Sequence, residues 1–71
     1  MINTSNYRLP TDQLIDYGQV ELICSLSRST IERRIREKKF PPKINLSPSL
    51  VRFKLSEVTR WVNDPENYRV G

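Results

Sequence analysis

Seventy-one residues allow one small domain, which buries only about 60% of the surface its unfolded chain exposes. At 37% hydrophobic the chain can build a modest core but not an enclosed substrate cavity. Its net charge is +4, yet residues 26–54 hold nine bases against two acids, a local +7 that leaves −3 elsewhere. Positive charge concentrated in this way favours a polyanionic partner, most simply nucleic acid.

What is missing narrows the chemistry. No run of eighteen apolar residues offers a membrane span, and no basic start followed by an apolar stretch reads as a secretory signal. One cysteine, Cys24, cannot close an internal disulfide, and without histidine a zinc site lacks its material. Two glycines, Gly18 and Gly71, make no phosphate-cradling loop, and a serine or cysteine nucleophile would lack its usual base. The expectation is a protein without enzymatic activity, cofactor or metal, working in the reducing cytoplasm and associated with the nucleoid.

Residues 1–11 are polar and aperiodic, with Arg8 their single base, and are expected to form a flexible arm. Asp12 to Tyr17 carries Leu14, Ile15 and Tyr17, a brief extended segment. A helix is predicted over 18–25, weakly capped by Gly18, with Val20, Ile23 and Cys24 as its stripe. On that stripe Cys24 is a small buried hydrophobe rather than a reactive thiol. Ser25 then occupies a tight corner where glycine is common. So short a connection between two helices predicts the steep crossing of a helix-turn-helix.

The second helix, about residues 27–39, is the best specified stretch of the chain. Ser27 is a good N-cap, and Leu26 with Ile31 is spaced as a hydrophobic staple. Pro41 and Pro42 are expected to end it. Ile31 and Ile35 share a stripe, while Ser29, Arg33, Arg36 and Glu37 point the other way. Arg34, Lys38 and Lys39 sit nearer the stripe, where their stems would cover the core edge. Two isoleucines are too thin a stripe to fold alone, so the helix must dock and leave a basic face outward.

Two alternating runs, 43–46 and 51–55, flank a turn-like 47–50 and predict a β-hairpin. Its expected inner face is Ile44, Leu46, Val51 and Phe53; its outer face is Lys43, Asn45, Arg52 and Lys54. A lone hairpin is marginal, so it must lie against the helices as a wing. Ser56 is expected to cap a last helix, 57–63, with Glu57 at its positive end and Val58, Trp61 and Val62 as its stripe. That spacing makes Trp61 a core residue rather than a stacking platform for single-stranded nucleic acid. Pro65 closes the helix, and 65–71 reads as a tail partly ordered through Tyr68. The fold class is therefore mainly α with a small β-hairpin, a winged helix-turn-helix over residues 12–64.

These parts together point to double-stranded DNA. The N-terminal end of a recognition helix probes base edges, and here it carries Arg28, Ser29 and Thr30. Arg28 and Arg33 are assigned toward bases, Ser29 and Thr30 to bases or phosphate, and Arg36 to phosphate. Lys43, Arg52 and Lys54 would meet the backbone from the wing. Glu32 could accept from cytosine N4 or pair with Arg36 at i, i+4; the pair is the simpler reading. A monomer of this size reads few base pairs, so a dimer or cooperative assembly on DNA is expected, and no coiled-coil seam is visible to build the dimer. An alternative from another class is a protein-interaction module whose basic face meets an acidic partner such as RNA polymerase.

Several of these residues also carry a resemblance. Ile15-Asp16-Tyr17, Val20, Leu26-Ser27-Arg28-Ser29-Thr30-Ile31, Lys39-Phe40-Pro41, Val51-Arg52-Phe53, Ser56-Glu57-Val58 and Trp61-Val62 fall in the order and spacing of AlpA-type phage regulatory proteins. The chain resembles that family over about residues 14–62, and through it the excisionases and the MerR-like winged-helix domain. The resemblance implies a small prophage or genomic-island DNA-binding regulator, often of an integrase or excisionase gene. It also admits a recombination directionality factor that bends attachment-site DNA beside an integrase. Two positions depart from the family pattern: Glu32 stands where an aromatic residue is common, and Ser47-Pro48-Ser49 replaces a Gly-x-Arg wing tip.

Overall fold

A line of aromatic rings ties together segments that are far apart in the chain. Tyr17 meets Phe53 edge-on at 5.1 Å between centroids, Phe53 meets Phe40 at 6.3 Å, and Phe40 meets Trp61 at 5.1 Å. Val20, Ile31 and Val58 fill the space around them, fully buried, and Ile15 and Tyr68 complete the core. The structure, a computed structural model, describes residues 12–70. The arm expected over 1–11 lies outside the described residues.

The chain runs strand β1 (Leu14–Ile15), helix α1 (Tyr17–Cys24), helix α2 (Arg28–Arg36), strand β2 (Ile44–Ser47), strand β3 (Leu50–Lys54) and helix α3 (Leu55–Asn63). The strands form one antiparallel sheet in the order β1-β3-β2, with Ile15 opposite Phe53 and Ile44 opposite Arg52. Three helices with a small three-stranded sheet are compatible with a winged helix-turn-helix. The sequence anticipated the hairpin and an extended segment within 12–17, but not that this segment pairs as a third strand with β3, some forty residues away.

The cap of helix α1 lies two residues before the one expected from sequence. Asp16, not Gly18, is the N-cap: its Oδ1 accepts from the Gln19 amide at 2.9 Å, and Gln19 Oε1 accepts from the Asp16 amide at 3.0 Å. This reciprocal capping box starts the helix at Tyr17, so Tyr17 and Val20 form its buried face. Ile23, expected in the stripe, is 45% exposed, and Cys24 is half-buried. Ser25 takes a left-handed conformation (φ 56°), the backbone state glycine adopts freely, and so turns the chain into α2.

Helix α2 is defined at both ends. Ser27 caps it by accepting from the Thr30 amide at 3.3 Å. Its C-terminus is a Schellman turn: the Lys38 amide donates to the Ile35 carbonyl and the Lys39 amide to the Arg34 carbonyl. Lys38 sits at φ 63°, the position that glycine usually fills. The helix therefore stops at Arg36, before Pro41 and Pro42 can act; Pro41 is instead buried beside Phe40. Lys38 and Lys39 are exposed, whereas Arg34 is half-buried with its Nε covered, so only Arg34 lays its stem along the core edge.

Pairing also corrects the hairpin's faces. Directly opposed residues share a face, so Ile44 lies on the side of Arg52, and Asn45 on the side of Val51. Between Asn45 and Ser47 the register slips by one, which makes Leu46 a bulge and leaves it 50% exposed. Phe53 is buried and Val51 packs on the core as expected. α3 follows β3 without a gap. Ser56 does not cap it; the cap position falls on Lys54, with no side-chain bond, and the Leu55 amide instead donates to the Gln13 carbonyl at 2.8 Å. Val58 and Trp61 are buried, whereas Val62, expected in the stripe, is 42% exposed. Beyond Pro65, Tyr68 returns to the core and donates to Glu57 at 2.7 Å.

Candidate nucleic-acid interface

Docking α2 through Ile31 and, partly, Ile35 leaves one side of the helix, with Arg28, Ser29, Arg33 and Arg36, in solvent. Arg33 and Arg36 are exposed, and neither joins an ion pair among the described residues. Ser29 is exposed beside the cap, its Oγ 3.3 Å from that of Ser27. Thr30 is half-buried and its Oγ1 accepts from the Ser27 hydroxyl at 3.0 Å, which ties the side chain to the helix start.

Arg28 is placed differently from Arg33. Its guanidinium lies 3.9 Å above the Tyr17 ring and its Nε is 4.0 Å from Glu32 Oε2. A flat guanidinium over an aromatic face gains from the ring quadrupole while its side chain stays 62% exposed. Glu32 is the centre of this corner. It accepts from the Tyr17 hydroxyl and lies 3.6 Å from Lys43 Nζ, which stands just ahead of β2. The partner expected for Glu32 was Arg36; instead Arg28, Tyr17 and Lys43 surround it, so one carboxylate joins α1, α2 and the base of the hairpin. The Tyr17 hydrogen bond, with help from Lys43 and Arg28, holds Glu32 below the usual carboxylate range. Burial, reinforced by the Glu32 charge, pushes the Tyr17 phenol up to about 12.

The wing residues separate. Arg52 is half-buried and its Nη1 donates to the Val51 carbonyl at 2.8 Å. With Arg28, Tyr17, Asp16, Gly18, Ser49 and Val51 it lines an open cleft of about 300 Å³ between the start of α1, the start of α2 and the hairpin. Lys54 is exposed but borders another cleft, with Ile44, Glu57, Arg60, Tyr68 and Val70. The fold therefore gathers Arg28, Lys43 and Arg52 at one corner, sets Arg33 and Arg36 along the open side of α2, and leaves Lys54 apart. Sequence reasoning missed Tyr17 as part of this corner. Its one legible signal was the Asp-x-x-Gln capping box, which would have moved Tyr17 inside the helix.

Comparison with known proteins now decides the lineage. The sequence profile described as Prophage CP4-57 regulatory protein (AlpA) matches residues 13–66, which takes in every strand and helix above. The chain belongs to the AlpA family of phage regulatory proteins. It is also 46% identical over 51 residues to a protein of Enterobacteria phage P4 described as "Uncharacterized protein ORF88", a match covering 72% of this chain and 58% of that protein. The chain thus spans under three-fifths of that relative's length. No solved structure matches it. Among the described residues, no helix is long and apolar enough to cross a membrane.

Proposed function

We propose that this AlpA-family chain is a site-specific double-stranded DNA-binding regulator of transcription in a prophage or genomic island. The observation that carries the reading is the exposed basic side of a doubly capped α2, where Arg33 and Arg36 make no ion pair among the described residues. A helix fixed at its ends can present side chains to a groove without spending them on its own stability. Arg33 faces the bases of the major groove, Arg36 the phosphates, and Ser29 the backbone at the helix start. Arg28 reads from the corner next to the wing, with Thr30 behind it as a supporting residue. Lys43 and Arg52 contact backbone from the base and side of the wing, with Lys54 set apart from them, and the wing lacks a tip arginine, so α2 carries most of the specificity.

The test is a titration, at several salt concentrations, of duplexes from the regions flanking the chain's own gene and a neighbouring integrase gene. Binding at least ~10³-fold tighter than to random duplex supports the reading. Equal affinity for both rejects it. Including the cognate integrase in an excision assay separates a regulator from a directionality factor: excision that depends on this chain assigns it the second role.

A further inference from the structure

The carboxylate of Glu32 is an odd occupant of a surface offered to DNA. It lies between two cations that would otherwise reach phosphate, 4.0 Å from Arg28 Nε and 3.6 Å from Lys43 Nζ. It is also a built-in part of the corner, because the Tyr17 hydroxyl donates to it and the Tyr17 ring carries the Arg28 guanidinium. Glu32 is 32% exposed against 62% for Arg28, so DNA would meet that guanidinium more readily than the acid, while Lys43, at 33%, is as covered as the carboxylate it faces.

Two consequences follow. First, Arg28 and Lys43 spend charge on Glu32 and contribute less to the sequence-independent pull on phosphate, which grows with the number of cations available to it. Second, Arg28 is held flat and pointed by three groups (ring, carboxylate and helix), and a guanidinium fixed in advance loses less freedom on making a paired contact. Both effects act in the same direction. We propose that Glu32 is a positioning and specificity-determining residue, which orients Arg28 and anchors Lys43 while suppressing binding to random DNA. This rests on the DNA-binding reading above. The depressed proton affinity of Glu32 agrees with it, since the Tyr17 hydroxyl and the two cations all favour the charged carboxylate.

The experiment compares wild type, Glu32→Gln, Glu32→Asp and Tyr17→Phe on a cognate and a random duplex, across a salt series, with thermal melting of each. Glutamine still accepts from Tyr17 but releases both cations. Its random-duplex affinity is expected to rise about tenfold at low salt, with the log-log salt slope steeper by about one to two. Cognate affinity is expected to gain less, so the specificity ratio falls. Glu32→Asp, which keeps the charge, restores the wild-type slope, and Tyr17→Phe lowers the melting temperature without steepening it. An unchanged slope and ratio in Glu32→Gln overturn the proposal. Failure of wild type to discriminate any duplex overturns the DNA-binding reading instead.

Discussion

Helices α2 and α3 have the same length, nine residues, but are held in opposite ways. α3 is held by its face: Val58 and Trp61 are buried, and its start has no side-chain cap. α2 is held by its ends: Ser27 closes one, a Schellman turn closes the other, and of its side chains Ile31 alone is fully buried. Both helices keep an exposed side, but they differ in what it carries: Arg28, Ser29, Arg33 and Arg36 on α2, against Ser56, Thr59, Arg60, Val62 and Asn63 on α3, where Arg60 is paired with Glu57. The unspent positive charge therefore lies on the helix held by its ends.

The largest perturbations should come from the face-held side. Trp61→Ala removes the ring that packs on Phe40 and is expected to cost about 3–5 kcal/mol, enough to unfold most of so small a domain; urea denaturation reads it. Next come the ends. Ser27→Ala should cost about 1 kcal/mol, whereas Ser56→Ala, at a position expected from sequence to be a cap, should fall within about 0.5 kcal/mol of wild type. Equal losses at the two serines would break the contrast. Lys38→Gly should stabilise by about 0.5 kcal/mol, because its φ of 63° costs a side chain more than the added glycine entropy.

Smaller still are the pH effects, followed as the urea midpoint at constant ionic strength. Glu32 is held below its ordinary 4.5, so its contribution is complete above that value and is lost as pH falls through its lower folded value. Tyr17 and Tyr68 are both raised from 10.0 to about 12, each first by burial and then by its carboxylate partner. Folded protein therefore holds these protons where unfolded chain has released them. Their contribution is complete below pH 10 and declines from there toward pH 12. Tyr17→Phe and Tyr68→Phe should each flatten that alkaline decline.

Where the sequence was sufficient, the signal was local. Ser27 three residues before Thr30, the Val58–Trp61 spacing and the paired alternating runs each specify structure within a few residues. It failed where the cause was distant or two-fold ambiguous. Alternation gives a strand's parity but not its partner, so nothing local could reveal that Ile44 opposes Arg52 or that Leu46 bulges. The pairing of β1 with β3 and the convergence of Tyr17, Glu32 and Lys43 are tertiary events. Lys38 ends α2 in a conformation that glycine would have announced and lysine conceals. The basic residues of the candidate interface were legible as a cluster; which of them stand free and which are already engaged was not.

If the open side of α2 reads DNA, as proposed, Arg33→Ala should separate binding from folding. Arg33 makes no ion pair among the described residues, so the variant should melt with the wild type. Its affinity for the cognate duplex should fall by about 1–3 kcal/mol while binding to random duplex changes far less. Cognate affinity unchanged in a fully folded Arg33→Ala protein would rule out base reading through the open side of α2.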